Sequence, residues 1–251
     1  NPLRESMHID PSNPRPYRAL ARVYDERGDW TQSISVRRSR LQVATGAERF
    51  ELCLDLGDVL FQKLGDRNGA SRAYTEALQE RPDDRKLLTK LMQLYGETQD
   101  WAKLIDVVLR LADGVDDARM RAKYMHTAAT IASKQLSDPD TAIDFYQRAI
   151  DMDPSNEKAL VEVLDHLHQR GRNDEVEDML KMQLDAAKVA QDRDRIIRVL
   201  DRLADLYQRF LNEPELAVDA LEAAQAFDPE SFLNALAPFG VSYDLEEVRD
   251  R

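Results

Sequence analysis

The side chains with the most obvious reactive or metal-binding chemistry are four histidines, one cysteine and many carboxylates. Two histidines on one helix grip a metal when they stand three or four residues apart, as in a His-Glu-x-x-His run, because that spacing puts them on one face. His166 and His168 stand two apart and point to nearly opposite sides, and His8 and His126 stand alone, so all four read as surface or satisfied residues. Cys53 has no histidine near it in sequence to act as base, and it sits in an apolar run, which suits a small core residue better than a nucleophile. The chain contains no glycine loop that could cradle a phosphate and no Gly-x-Ser-x-Gly elbow. Its acidic pairs follow helical surface periodicity and read as solvated faces. These residues predict no catalytic group, no metal site and no cofactor, and hence a protein that is not an enzyme.

Composition narrows the partner. The 35 Lys and Arg are outnumbered by 47 Asp and Glu, giving a formal net charge of −12. Phosphate-rich ligands need a positive field, so nucleic acid and anionic membrane are excluded as general partners. The charge is uneven: residues 1–50 hold nine Arg against six acids, or +3, which leaves −15 for the remainder. The run Arg37-Arg38-Ser39-Arg40 is the one local feature that favours RNA, and a solvated helix face explains it equally well. A lone cysteine forbids an intrachain disulfide and fits a reducing compartment. No stretch reaches the roughly 18–20 apolar residues of a membrane span, and no signal peptide is visible. A cytoplasmic location is the expectation. The chain opens on Asn1 in mid-pattern and is read as a piece of a longer protein.

The elements that position these residues come from an internal repeat. His8-Ile9-Asp10-Pro11-Ser12-Asn13 returns as Asp151-Met152-Asp153-Pro154-Ser155-Asn156, and the prolines at 11, 82, 154 and 229 are spaced by 71, 72 and 75 residues. Ahead of three of them Ala70, Tyr74 and Ala77 match Ala142, Tyr146 and Ala149, and again Ala217, Leu221 and Ala224. Steps of four and three put small, large and small side chains on one helical face. A second unit sits inside each period: Leu20 to Tyr24 before Gly28-Asp29-Trp30, Leu91 to Tyr95 before Gln99-Asp100-Trp101, and Val163 to Leu167 before Gly171-Arg172-Asn173. The period therefore splits into two helical hairpins of about 34 to 38 residues. Helices are predicted over 14–27, 30–43, 47–63, 67–80, 84–97, 100–112, 116–135, 139–151, 156–169, 173–189, 193–210 and 214–226, with no sheet.

A hairpin of this length with Leu203-Ala204, Tyr207, Ala217, Leu221, Ala224 and Pro229 resembles the tetratricopeptide repeat, in the manner of bacterial multi-repeat arrays. Leu56-Gly57, Leu60, Ala70, Tyr74, Ala77 and Pro82 carry the same pattern, as do Ala128-Ala129, Ala132, Ala142, Tyr146, Ala149 and Pro154. The alternate units keep the first helix but put Leu104, Val108 and Leu111 where the second should be small. The resemblance implies an all-α fold: a right-handed α-solenoid of about six antiparallel helix-turn-helix repeats, paired into units of about 72 residues. Residues 1–13 are then the end of a preceding repeat or a linker and 14–231 the array. Residues 232–251 form a degenerate repeat or a C-terminal cap, with Phe239, Tyr243 and Leu245 available to cover the last apolar face.

In that family the first helices line a concave groove. The groove positions read Arg15, Glu51, Lys86, Lys123, Lys158 and Arg198, a nearly continuous basic row, with Arg18, Arg22, Gln93 and His126 at other groove-facing positions. The resemblance implies a non-enzymatic scaffold that binds a protein or peptide partner there, one with an acidic or extended segment. No Asn stands among the groove positions, so the clamp that some members use for a terminal carboxylate is not expected. The alternative is a structural array that self-associates and leaves its groove empty.

Overall fold

Asp or Asn precedes most helices, and its side chain closes the helix start. Asn13 accepts from the Arg15 N–H at 3.0 Å, Asp66 from Gly69 at 2.8 Å and Asp84 from Leu87 at 2.9 Å. Asp138, Asn156 and Asp192 do the same for Thr141, Ala159 and Arg195. Each cap satisfies an N–H that the helix cannot, and contributes about 1 kcal/mol. Part of the acid excess is therefore structural.

The computed structural model describes residues 2–227, and no strand occurs among them. The chain divides into two compact units between Ser137 and Asp138. The first holds α1 (Pro2–Ile9), α2 (Pro14–Glu26), α3 (Trp30–Leu41), α4 (Gly46–Gln62), α5 (Arg67–Glu80), α6 (Arg85–Thr98), α7 (Trp101–Asp113) and α8 (Ala118–Gln135). The second holds α9 (Pro139–Met152), α10 (Glu157–Gln169), α11 (Asn173–Val189), α12 (Arg193–Leu206) and α13 (Pro214–Gln225). Within each unit every helix packs on its successor in the chain, the nearest-neighbour packing of a helical-repeat protein. The expected segment 232–251 lies outside the described residues.

The small and large positions of the repeat are buried as the pattern requires. Ala70, Ala77, Ala142, Ala149 and Ala217 are fully buried, and Tyr74 and Tyr146 nearly so. At Gly57 a Cβ would fall 2.3 Å from the Tyr74 ring, so only glycine lets α5 lay that ring against α4. The same tyrosine donates to Asp58 at 2.5 Å, and Lys90 of α6 donates to Asp58 at 2.7 Å, tying three successive helices through one carboxylate. α1 packs Leu3 and Met7 onto the cluster of Tyr17, Leu20, Ala21 and Val36.

The hairpin turns share a left-handed residue. Gly28, Gln99 and Gly171 stand at equivalent places with φ of 71°, 57° and 68°. Two of the three use the residue that adopts this conformation without a Cβ penalty, and Gln99 does not.

One helix departs from its predicted span. The α-helical hydrogen bonding of α12 stops at Leu206, and Tyr207–Leu211 forms a wider π-helical turn that ends at the left-handed Asn212. The wide turn sets the Tyr207 hydroxyl on Glu177 at 2.8 Å and stacks the Phe210 ring on His168 at 4.2 Å. Both partners lie on other helices, so a single-helix pattern contains no trace of the turn.

The arginine run of α3 is not a solvated face. Arg38 and Ser39 are exposed, but Arg37 grips Asp25 through two bonds of 2.7 and 3.2 Å. Arg40 is only 5% exposed: it meets both oxygens of Glu48 at 2.9 and 2.6 Å and donates to the Pro11 carbonyl at 2.9 Å. Around the equivalent proline of the second unit, Arg195 donates to the Pro154 carbonyl and to Gln183.

Candidate functional site

The groove residues read from the sequence stand on the first helix of each hairpin: Arg15, Arg18 and Arg22 on α2, Lys86 and Gln93 on α6, Lys123 and His126 on α8, Lys158 on α10 and Arg198 on α12. All are exposed except His126, which is half-buried. Arg22 is held by Glu26 at 2.9 Å, and Gln93 donates to Glu97 at 3.0 Å. Arg15, Arg18, Lys86, Lys123, Lys158 and Arg198 form no ion pair among the described residues. Neighbouring bases are occupied: Lys90 binds Asp58 at 2.7 Å, and Arg202 binds Glu157. The basic positions fall into two sets, five in the first unit and two in the second.

Arg18 and Arg22 line one cavity. It measures about 130 Å³ and is also lined by Tyr17, Asp25, Arg37, Arg40 and Asp55. Burial would raise the Asp25 carboxyl, but hydrogen bonds from Arg37 and Ser33 outweigh it and hold the group below the ordinary carboxylate range. Asp55, exposed as a residue, is pushed above that range by desolvation where it lines the cavity. Arg37 opposes the rise, and Asp58, Glu51 and Asp25 add to it. Hydrogen bonds from Arg40 hold Glu48 low against the opposing effect of burial. Arg37 and Arg40 are thus neutralised within the protein, Arg22 is held by Glu26, and the one cavity-lining base without an ion pair among the described residues is Arg18.

The reactive residues take structural places. Cys53 is fully buried, and burial, then the neighbouring Glu76 carboxylate, pushes its thiol up to about 11, which disarms it as a nucleophile. His168 meets Asn173 at 3.0 Å and stacks on Phe210, and His166 stacks on Tyr146 with ring centres 6.1 Å apart. Among the described residues no group of three or more His, Cys, Asp or Glu could hold a metal, and no helix is long and apolar enough to cross a membrane.

Sequence reasoning missed the buried polar residues Arg40, Arg195 and Gln183. It had no signal for them, because each is charged or polar at a helical position where its type is equally common on a surface.

A family profile described as tetratricopeptide repeat matches residues 11–189, more than half of the chain. Among solved structures, that of Naa15/Naa10 bound to HypK-THB is 16% identical with a TM-score of 0.53, and the match covers 98% of this chain and 37% of that one. The C-terminal part of a TPR repeat-containing protein from Cytophaga hutchinsonii is 12% identical with a TM-score of 0.42, covering 93% and 92% of the two chains. YrrB, a TPR protein with an unusual peptide-binding site, is 18% identical with a TM-score of 0.38, covering 76% and 91%.

Proposed function

The chain belongs to the tetratricopeptide repeat family, and from that premise we propose that it is a non-enzymatic scaffold that holds a protein partner through an acidic or extended segment. The partner lies along the outward faces of the first helices. The observation that carries this reading is a set of exposed bases left without ion pairs in a strongly acidic chain. Arg15, Arg18, Lys86 and Lys123 in the first unit, and Lys158 and Arg198 in the second, stand at first-helix positions and form no ion pair among the described residues. Bases that served only to neutralise local acids would be paired as Lys90 and Arg202 are. Uncompensated Lys and Arg attract an acidic segment from a distance and set its register, with modest affinity at each contact. The small cavity beside Arg18 has room for one anionic side chain, which the Arg18 guanidinium would meet.

The test is affinity capture from source-cell lysate with wild type and with the triple variant Lys86→Glu, Lys123→Glu, Lys158→Glu. All three positions are exposed, and a circular dichroism melt that matches wild type checks that the variant is folded. A partner captured by wild type and lost by the variant supports the reading. A partner retained by both moves the site off the basic row. Capture of no partner, together with self-association of the purified chain, replaces the reading with a structural array.

A further inference from the structure

A larger depression lies in the second unit, lined by α9 and α11. α9 and α11 are the second helices of successive hairpins, and α10 packs on both. The cleft between α9 and α11 measures about 520 Å³, within the range of sites that enclose ligand groups. Ile150, Met179 and Met182 give it an apolar lining, and Asp151 and Asp178 stand at its edge. Met182 is 65% exposed and lines the cleft. Its flexible, polarisable thioether can adapt to different apolar partners.

The cleft is braced from below. Arg195 donates both to the Pro154 carbonyl on one wall and to the buried Gln183 on the other, so its two sides are tied through one guanidinium. A third acid in the lining, Glu175, is already held by Arg172 through two bonds of 2.6 Å. Asp151 and Asp178 are exposed and form no ion pair among the described residues. An apolar trough beside two exposed carboxylates that form no ion pair selects a ligand that is apolar on one side and cationic beside it. Charge argues against the chain's own C-terminal sequence as occupant. Beyond Phe227 it carries Asp228, Glu230, Asp244, Glu246, Glu247 and Asp250 against Arg249 and Arg251.

We propose that the cleft between α9 and α11 docks a basic amphipathic segment of a protein partner. Its apolar side chains lie against Met179 and Met182, and its Lys or Arg lie over Asp151 and Asp178. This surface is separate from the first-helix bases and of opposite polarity, so it stands whether or not those bases bind an acidic segment.

The test is fluorescence anisotropy with a labelled amphipathic Leu/Lys peptide, and with its Leu/Glu counterpart, at near-physiological salt. Met182→Asp adds a negative charge while removing the apolar contact. It is expected to weaken Leu/Lys binding about tenfold, the scale set by losing one buried side chain. Asp178→Lys is expected to weaken it by a similar factor, and the Leu/Glu peptide to bind at least tenfold more weakly than the Leu/Lys peptide to wild type. Circular dichroism melts that match wild type show that each variant is folded. Binding of the Leu/Lys peptide that is unchanged or tightened in folded Met182→Asp would overturn the proposal, because it would be unspecific attraction to an acidic protein. Equal binding of the two peptides would overturn it as well. Sedimentation showing a wild-type dimer that Met182→Asp dissolves would give the cleft to a second copy of the chain instead.

Discussion

Two regions of the molecule solve one packing problem with opposite chemistry. Arg40 and Gln183 stand at equivalent places, each 29 residues beyond its proline, and Glu48 and Arg195 are each the third residue of the following helix. Around Pro11 the arginine lies on the earlier helix and meets a carboxylate on the later one. Around Pro154 the arginine lies on the later helix, and both of its bonds go to uncharged oxygens. The middle repeat dispenses with the polar pair and places Leu111 and Met120 there. The common requirement is a filled space between two helices and the turn. Where a polar side chain fills it, the proline carbonyl receives a donor. Which helix supplies that donor is free to change.

The sharpest way to break this comparison is Arg195→Glu, which buries a carboxylate against two acceptors. It should cost about 3–5 kcal/mol in urea unfolding. Adding Gln183→Arg recreates the Arg40–Glu48 arrangement in the second unit and should restore most of that loss. A double variant no more stable than the single one would show that the two regions are not equivalent.

Arg40→Ala should cost less, about 1–3 kcal/mol, because Glu48 is partly exposed and regains water when its partner leaves. Urea midpoints measured beside those of Arg195→Glu check the order.

The two regions should also differ in their response to acid. The Glu48 carboxyl is held below its ordinary value of 4.5 in the folded protein. Its contribution to stability is therefore complete above that value and lost as pH falls below it through the lowered one. Arg40→Ala should flatten this part of the acid profile. Arg195→Met should leave it unchanged, since no carboxylate meets Arg195 in its two bonds. Thermal melts between pH 3 and 6 read the difference.

The smallest effect concerns the turns. Replacing Gln99 with glycine, the residue found at Gly28 and Gly171, should stabilise the first unit by about 0.5–1 kcal/mol, the left-handed penalty removed less the chain entropy gained on unfolding. The midpoint should rise with an unchanged denaturant slope.

Much of the fold was legible before the structure. Apart from the end of α12, predicted and observed spans of α2 to α13 agree closely, because caps, turn glycines and the Ala-Tyr-Ala spacing act over a few residues and leave their mark in local order. The candidate basic row was legible as a list of positions, and their exposure follows from the helical register. The sharing of a cavity by Arg18 and Arg22 was not, since it depends on Asp25, Arg37 and Asp55 brought in from three helices.

The sequence by itself determined that this protein is built of helical hairpins of the tetratricopeptide type, where most of its helices begin and end, and which small residues must face inward. These follow from interactions between residues three to five apart, which a pattern records directly. Only the tertiary structure decided which arginines are buried, that α12 ends in a π-helical turn, and that an acid-edged apolar cleft opens between α9 and α11. Those outcomes rest on partners such as Arg40 with Pro11 and Arg195 with Pro154, 29 and 41 residues apart. At that distance in sequence an arginine destined for a buried carbonyl looks the same as one destined for water.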